Sequence, residues 1–233
     1  MKKKILVTLA VLSIGASVGY ASPLTDYSVG KTTIDLMVRN TDSEVTDREG
    51  PISLGRKSNL DFGITTGLGN RLAIQYSNYN AKAKDAVFYS SASETDRMNG
   101  KLKTQEFNIM YKVDKNISAY TGLVTIKGSL IENDRDNGTN IDTTYPYSSG
   151  TKKKMQFGLV GSTKLGEKTS AYAQVGVASD YTNWKIGVSQ EIAPNLDFNI
   201  DYRRLKVKKL SYEAGDASDV TVKGLGYGVT YKF

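Results

Sequence analysis

The sequence has neither cysteine nor histidine in its 233 residues. Without cysteine there is no disulfide, thiol nucleophile, iron–sulfur cluster or lipid-modified cysteine anchor. Without histidine, most zinc sites and every histidine-dependent acyl or peptide hydrolysis mechanism are excluded. Past the N-terminus no apolar run approaches the roughly 18 residues a spanning helix needs, so a helical membrane protein is excluded. Proline is scarce, at 4 residues, whereas tyrosine (15) and glycine (22) are plentiful, a composition that favours β structure. The length suits a single domain. The net charge of +7 could suit nucleic acid, but the export signal described next leaves little occasion for that partner.

Residues 1–21 read as a cleaved secretory signal peptide. Lys2, Lys3 and Lys4 form the charged start, residues 5–14 a short apolar run, and Gly19 and Ala21 place small residues where a signal peptidase acts. The mature domain is then 22–233.

Within that domain short turns alternate with long polar stretches. The turns are residues 67–70, 114–116, 166–168 and 193–195, rich in Gly, Asn, Asp and Pro. The polar stretches are 40–55, 83–100, 129–150 and 209–219; they read as long loops, and 129–150 is expected to be mobile and externally exposed. Between them lie about ten strand-like segments: 28–39, 57–67, 71–82, 102–113, 117–128, 153–164, 169–178, 182–192, 196–208 and 221–233. Most have the length of a tilted membrane strand, about ten residues. Residues 179–181 form the one tight connection among the long ones.

The alternation within these segments has period 2. Leu225, Tyr227, Val229, Tyr231 and Phe233 share one face of the last segment, with Gly224, Gly226, Gly228, Thr230 and Lys232 on the other. Leu60, Phe62 and Ile64 oppose Asn59, Asp61 and Gly63; Leu196, Phe198, Ile200 and Tyr202 oppose Asp197, Asn199 and Asp201. The segments around Tyr120 and Val175 do not sort cleanly. A soluble β-barrel or sandwich and a transmembrane barrel can both produce such a pattern. Similar strand lengths, alternating short and long connections, and aromatics near strand ends (Tyr111, Trp184, Tyr202, Tyr231, Phe233) favour the membrane. The expected fold is an all-β, single antiparallel up-and-down transmembrane barrel of about ten strands, with eight as the alternative.

The signal segment, the alternating strands and the ending Tyr231-Lys232-Phe233 resemble the small outer-membrane β-barrel families of Gram-negative-type bacteria. These include the barrel of outer-membrane protein A, the outer membrane protein beta-barrel domain and porin-like families. The resemblance implies a bacterial outer-membrane location. It also implies that Tyr227, Val229, Tyr231 and Phe233 are the signal read by the barrel-assembly machinery. The peptidoglycan-binding domain that often follows the outer-membrane protein A barrel is not expected.

Charged residues on the inferred inner face suggest a lumen network of Asp35, Arg39, Asp61, Glu106, Lys185, Asp201 and Arg203. Charges in a narrow barrel must be paired or wet. Asp35, Asp61, Glu106, Asp197 and Asp201 are therefore expected to pair with Arg39, Arg71, Lys112, Lys185 and Arg203 rather than to act as catalysts. Neither enzymatic activity nor a cofactor or metal site is expected; the acidic run Glu132, Asp134, Asp136 and Asp142 misses the EF-hand spacing. Extending each apolar face past its outer end gives a basic belt of Arg56, Lys82, Lys84, Lys101, Lys103, Lys153 and Lys223, at positions expected to hold no acid. Outer-membrane lipid and lipopolysaccharide phosphates are the expected partners of this belt. The expected function is structural or narrow porin-like; a surface adhesin or receptor acting on an extracellular partner through the loops is the alternative, and an enzyme using the lumen carboxylates is a further one.

Overall fold

Every backbone N–H and C=O in a bilayer needs an internal partner, and a sheet meets that demand only by closing on itself. In the computed structural model, which describes residues 24–48, 50–212 and 217–233, the chain does this. The expected signal peptide, 1–21, lies outside the described residues. The strands are β1 (Thr32–Thr46), β2 (Pro51–Gly69), β3 (Leu72–Lys82), β4 (Ala86–Ser90), β5 (Glu94–Asp114), β6 (Ile117–Asp136), β7 (Ile141–Lys164), β8 (Thr169–Ala178), β9 (Tyr181–Ala193), β10 (Leu196–Ser211) and β11 (Ala217–Lys232). Successive strands pair antiparallel, β11 closes on β1, and β3 pairs with β5. Ten strands thus form the ring. The short β4 lies outside it, on the outer part of β5, and the eight-strand alternative is set aside.

The exterior carries the apolar face. Leu60, Phe107, Ile109, Phe157, Ile186, Ile200, Leu225 and Tyr227 are all exposed. Trp184 and Tyr202 stack at 5.5 Å toward one end of this band, and Tyr231 meets Phe233 edge-on at 4.8 Å toward the other. Large side chains in such numbers on the outside of a ring with a polar middle are stable only against hydrocarbon. The molecule is a transmembrane β-barrel.

The strand limits correct the sequence reading in five places. Residues 28–31 form a turn, and β1 starts at Thr32. Residues 129–150, expected as a mobile loop, form a hairpin instead: β6 and β7 stay paired from Ser129↔Ser148 to Asp136↔Ile141. The stretches 40–55 and 83–100 are likewise mostly strand, through Thr46↔Pro51 and the β4–β5 ladder. Over 132–146 both faces of the hairpin meet water, so the amphipathic pattern that marks a strand disappears while the ladder continues; in 40–46 the pattern is hidden instead because buried Thr41 and Ser43 are polar. The expected loop 209–219 is partly strand too, since β10 runs to Ser211 and β11 begins at Ala217. Residues 213–216 lie outside the described residues. The tight connection holds, with Ala178 paired to Tyr181 and Asp180 at φ 60°.

One seam is incomplete. The β2–β3 ladder ends at Asp61↔Tyr79, and outward from there β2 keeps a ladder only with β1, through a bulge at Thr41/Ser43. A single bridge, Gly55↔Lys84, rejoins it to the chain after β3.

Candidate functional site

The pleat turns Arg39, Asp61, Glu106, Asp201 and Arg203 inward from four strands, and the ring is narrow enough for them to meet. Arg39 donates through Nη1 to Asp201 and through Nη2 to Asp61 at 3.2 Å. Arg203 donates through Nη1 to Asp61 at 3.0 Å, through Nη2 to Glu106 at 3.4 Å, and through Nε to Asn183 at 2.9 Å. Glu106 also accepts from the Tyr181 hydroxyl at 2.8 Å, from Asn183 at 2.9 Å and from Gln156 at 3.1 Å. The Tyr172 hydroxyl donates to Asp201 at 3.1 Å. The Arg203 guanidinium lies 4.5 Å from the centre of the Tyr79 ring. Gly226 stands where a Cβ would come within 2.8 Å of the Arg39 guanidinium, so this closing strand needs a residue without a side chain there.

The remaining expected lumen charges lie around this knot. Lys185 sits 5.7 Å from the Tyr172 ring centre and lines a cavity of about 50 Å³ with Asp35, Asp61, Gln75, Glu106 and Arg203. Asp35 accepts from the Thr230 hydroxyl. Asp197 pairs with Lys232 at 2.6 Å and accepts from Ser189 at 3.1 Å. Two expected partners are elsewhere. Arg71 is exposed in the β2–β3 turn at φ 67°, and Lys112 reaches the Thr25 carbonyl at 2.6 Å. Both lie at the end where strands turn, beyond the reach of the mid-lumen acids.

The lumen is closed on both sides of the charge knot. On the long-hairpin side an apolar cluster fills it, including Leu54, Ile126, Leu205, Val207, Leu210 and Val222. At the short-turn end the segment before β1 folds in: Leu24 and Tyr27 are buried with Ala73, Met110, Tyr120 and Val160. The Tyr27 hydroxyl donates to Ser118 at 2.9 Å. Sequence reading missed both plugs. The first had a visible trace, since Val124, Ile126, Leu205 and Val207 add apolar residues to a face read as polar.

Of the expected basic belt, Arg56, Lys82, Lys84, Lys101, Lys153 and Lys223 are exposed and Lys103 is half-buried. The expectation that no acid shares these positions is wrong. Arg56 makes a bidentate pair with Asp42, with Nε and Nη2 each 2.8 Å from a carboxylate oxygen. A β-bulge between Thr41 and Ser43 sets Asp42 beside Arg56, and Asp42 also faces Lys223 across β11. The Arg56 hydrogen bond holds the Asp42 carboxyl below its usual range. Lys82 instead faces Lys101, and Lys103 faces Lys127.

Farther out, carboxylates face carboxylates. Glu94 lies opposite Asp136, and Asp96 opposite Asp134. Carboxylate oxygens of Glu94, Asp96 and Asp134 lie within 4.8 Å of one another. Burial and then Asp134 push the Asp96 carboxyl up, and the same two causes raise Glu132. At the hairpin tip the backbone N–H groups of Thr139 and Gly138 hold Asp136 down.

Tyr227, Val229, Tyr231 and Phe233, the expected assembly signal, lie along the outer face of β11, the strand that pairs with both β1 and β10. The Phe233 N–H donates to the Thr32 carbonyl at 2.8 Å, tying the last residue to the first strand.

No family model matches this chain, and no curated protein matches it. Among solved structures it is similar to Ail, the attachment invasion locus protein of Yersinia pestis, at 12% identity and TM-score 0.42, covering 85% of this chain and 98% of that one. It is also similar to the outer membrane protease OmpT from Escherichia coli, at 9% identity and TM-score 0.46, covering 91% and 100%. A third similar structure is the outer membrane protein OprG from Pseudomonas aeruginosa, at 11% identity and TM-score 0.35, covering 90% and 99%.

Proposed function

We propose that this chain is a non-enzymatic, non-conducting barrel of the bacterial outer membrane, one that anchors rigid hairpins outside the cell and grips the outer leaflet by its basic rim. The observation that carries this is the filled lumen: a short-turn plug, a charge knot and an apolar plug in series. The carboxylates that could have served catalysis are engaged. Glu106 accepts from four side chains, and Asp61 and Asp201 hold Arg39 and Arg203. In this reading the short turns and both chain termini face the periplasm, and the long hairpins face outward. A signal peptide at 1–21 directs export, and the barrel-assembly machinery reads the last strand. Lipid and lipopolysaccharide phosphates meet the lysines of the belt, where a compact ammonium suits phosphate oxygens. The test is planar-bilayer recording of the pure protein. Flickering at most is expected, and stable nanosiemens openings would refute a closed lumen.

A second reading, an adhesin or receptor, has its own support. Val87, Tyr89, Ile141 and Tyr145 are exposed on the hairpin extensions, away from the lipid-facing band. Large side chains displayed in water on a stiff sheet suit a partner surface. Shortening the β6–β7 hairpin, by joining Ser129 to Ser148 through a two-residue turn, should abolish cell-surface attachment without unfolding the barrel. Unchanged attachment would dismiss this reading.

A further inference from the structure

We propose that the incomplete β2–β3 seam is a binding site for the phosphate group of a phosphorylated glycolipid. The proposal rests on the reading above that the barrel stands in an outer leaflet.

The recess at this seam has a volume of about 610 Å³, within the range of small-molecule sites. Four lysines line it: Lys57, Lys82, Lys84 and Lys101. Among the described residues none of the four ammonium groups has a carboxylate partner. The one lining acid, Asp85, is turned to Asn99, whose amide donates to it at 2.6 Å. Lys82 and Lys101 are direct cross-strand neighbours on one face, an arrangement that like charges destabilise. A dianion seated among the four ammonium groups removes that repulsion and replaces it with charge-assisted hydrogen bonds.

The opening is built, not frayed. Where β2 stops pairing with β3, the Asn59 side chain takes over the backbone's role. Its Oδ1 accepts from the Lys82 N–H at 2.8 Å, and its Nδ2 donates to the Lys82 carbonyl at 3.1 Å. This satisfies the chain at Lys82 while holding β2 a side chain's length away. At the far edge the Gly55–Lys84 bridge closes the recess, with the Lys84 N–H donating to Gly55 at 2.8 Å. A Cβ at Gly55 would stand 2.8 Å from that of Lys84, so only glycine lets the two chains meet.

The surroundings select a lipid. Ile131 forms an apolar wall of the recess. On the membrane side, Leu60 continues the Lys57 strand, and Tyr76 and Phe107 pair across β3 and β5, all on the outer face. An amphiphile seated here lays its acyl chains on that surface and its phosphate among the lysines. Elsewhere on the rim the wall is continuous. Lys223 lies beside Arg204 in an unbroken ladder, and Lys153 stands opposite Thr125.

The full-length barrel, in neutral detergent, tests this with two variants that each remove two charges: K57Q/K84Q in the recess and K153Q/K223Q on the continuous wall. Probes are a bisphosphorylated glycolipid, its dephosphorylated counterpart and inorganic pyrophosphate. The recess pair should weaken binding of the bisphosphorylated glycolipid by about tenfold or more. The wall pair should change it by about twofold or less. The dephosphorylated lipid should fail to bind, and pyrophosphate should bind far more weakly than the glycolipid. Pyrophosphate binding as tight as the lipid's would overturn the lipid assignment. Equal loss in both variants would overturn the recess while leaving the basic rim intact as a lipid contact. Undiminished binding in K57Q/K84Q would also overturn it. A readout free of folding concerns is acylation of the native protein: bound glycolipid should protect Lys57 and Lys84, but not Lys153, from an amine-reactive reagent. Equal labelling of all three would refute the site.

Discussion

The mid-lumen and the outer hairpins treat charge in opposite ways. In the lumen, Arg39 and Arg203 each hold two carboxylates, and the network is built from residues on opposite walls of the barrel. On the β5–β6 hairpin, carboxylates stand directly across from carboxylates, Asp96 from Asp134 and Glu94 from Asp136. Burial is the difference. An unpaired charge inside the ring would have neither water nor partner, whereas a repelled carboxylate on a projecting hairpin keeps part of its hydration. Stability therefore constrains the lumen closely. The hairpins are left free to carry charge patterns that serve something other than folding.

Breaking the lumen network should have the largest effect. Arg203→Met leaves Glu106 without its arginine and Asp61 with Arg39 alone, and removing one partner of a buried ion pair costs about 3–5 kcal/mol. Urea unfolding of the folded barrel, followed by its heat-sensitive gel mobility, measures this. If Arg203→Met is as stable as the native barrel, the lumen charges are hydrated and the contrast with the hairpins fails.

Opening the apolar plug should come next. Leu210 is fully buried, and Leu210→Ala should cost about 2–5 kcal/mol. The charge knot beneath it stays in place, so conductance should remain closed. Stable openings in this variant would show that the apolar plug, and not the knot, is the seal.

Much of this arrangement was legible in the sequence where two faces meet different surroundings. The split of Leu225, Tyr227, Val229 and Tyr231 from Gly224, Gly226 and Gly228 gave the direction of β11. The in-phase Asp201 and Arg203 pointed to a lumen network. Legibility failed where the two faces meet the same surroundings. Tyr120, Val124 and Ile126 turn into apolar plugs while Leu123 turns to lipid, so β6 is apolar on both sides and its alternation blurs. In residues 132–146 no residue is buried and both faces are wet, so a hairpin read as a loop. Contacts set by register were hidden for another reason. The Arg56–Asp42 pair depends on a bulge, and the lysine recess depends on where β2 and β3 part; neither leaves a periodic mark.

Acid should sharpen the contrast by acting on the hairpins in the opposite sense to the salt bridges. Asp96 and Glu132 have raised folded-state affinities for protons. Their contribution to hairpin stability is full below the ordinary carboxylate range and is lost as pH rises through their elevated values. Amide hydrogen exchange along residues 94–98 and 132–136, corrected for its intrinsic pH dependence, should show greater protection below the ordinary carboxylate range than at neutral pH. Asp134→Asn should bring that low-pH protection to neutral pH as well. Equal corrected protection at both pH values in the native chain would mean that the carboxylates do not strain the hairpin.

The smallest effect belongs to Arg56, the belt arginine that an acid already holds. Arg56 and Asp42 are paired but largely exposed, and water and salt screen such pairs strongly. Arg56→Gln should leave the melting temperature unchanged within error. Its signature lies in Asp42. That carboxyl is depressed chiefly by the Arg56 hydrogen bond, with smaller help from Lys223. A depressed carboxyl contributes stability above its unfolded value and loses it as pH falls. The variant should therefore titrate Asp42 at a higher pH, observed by carboxyl-carbon NMR, and flatten this contribution to the acid limb of the stability curve. Because Asp42 already occupies Arg56, the same variant should bind a phosphorylated glycolipid as the native barrel does. A loss of binding matching that of the lysine recess would put Arg56 back among the phosphate ligands and return the rim to a uniform belt.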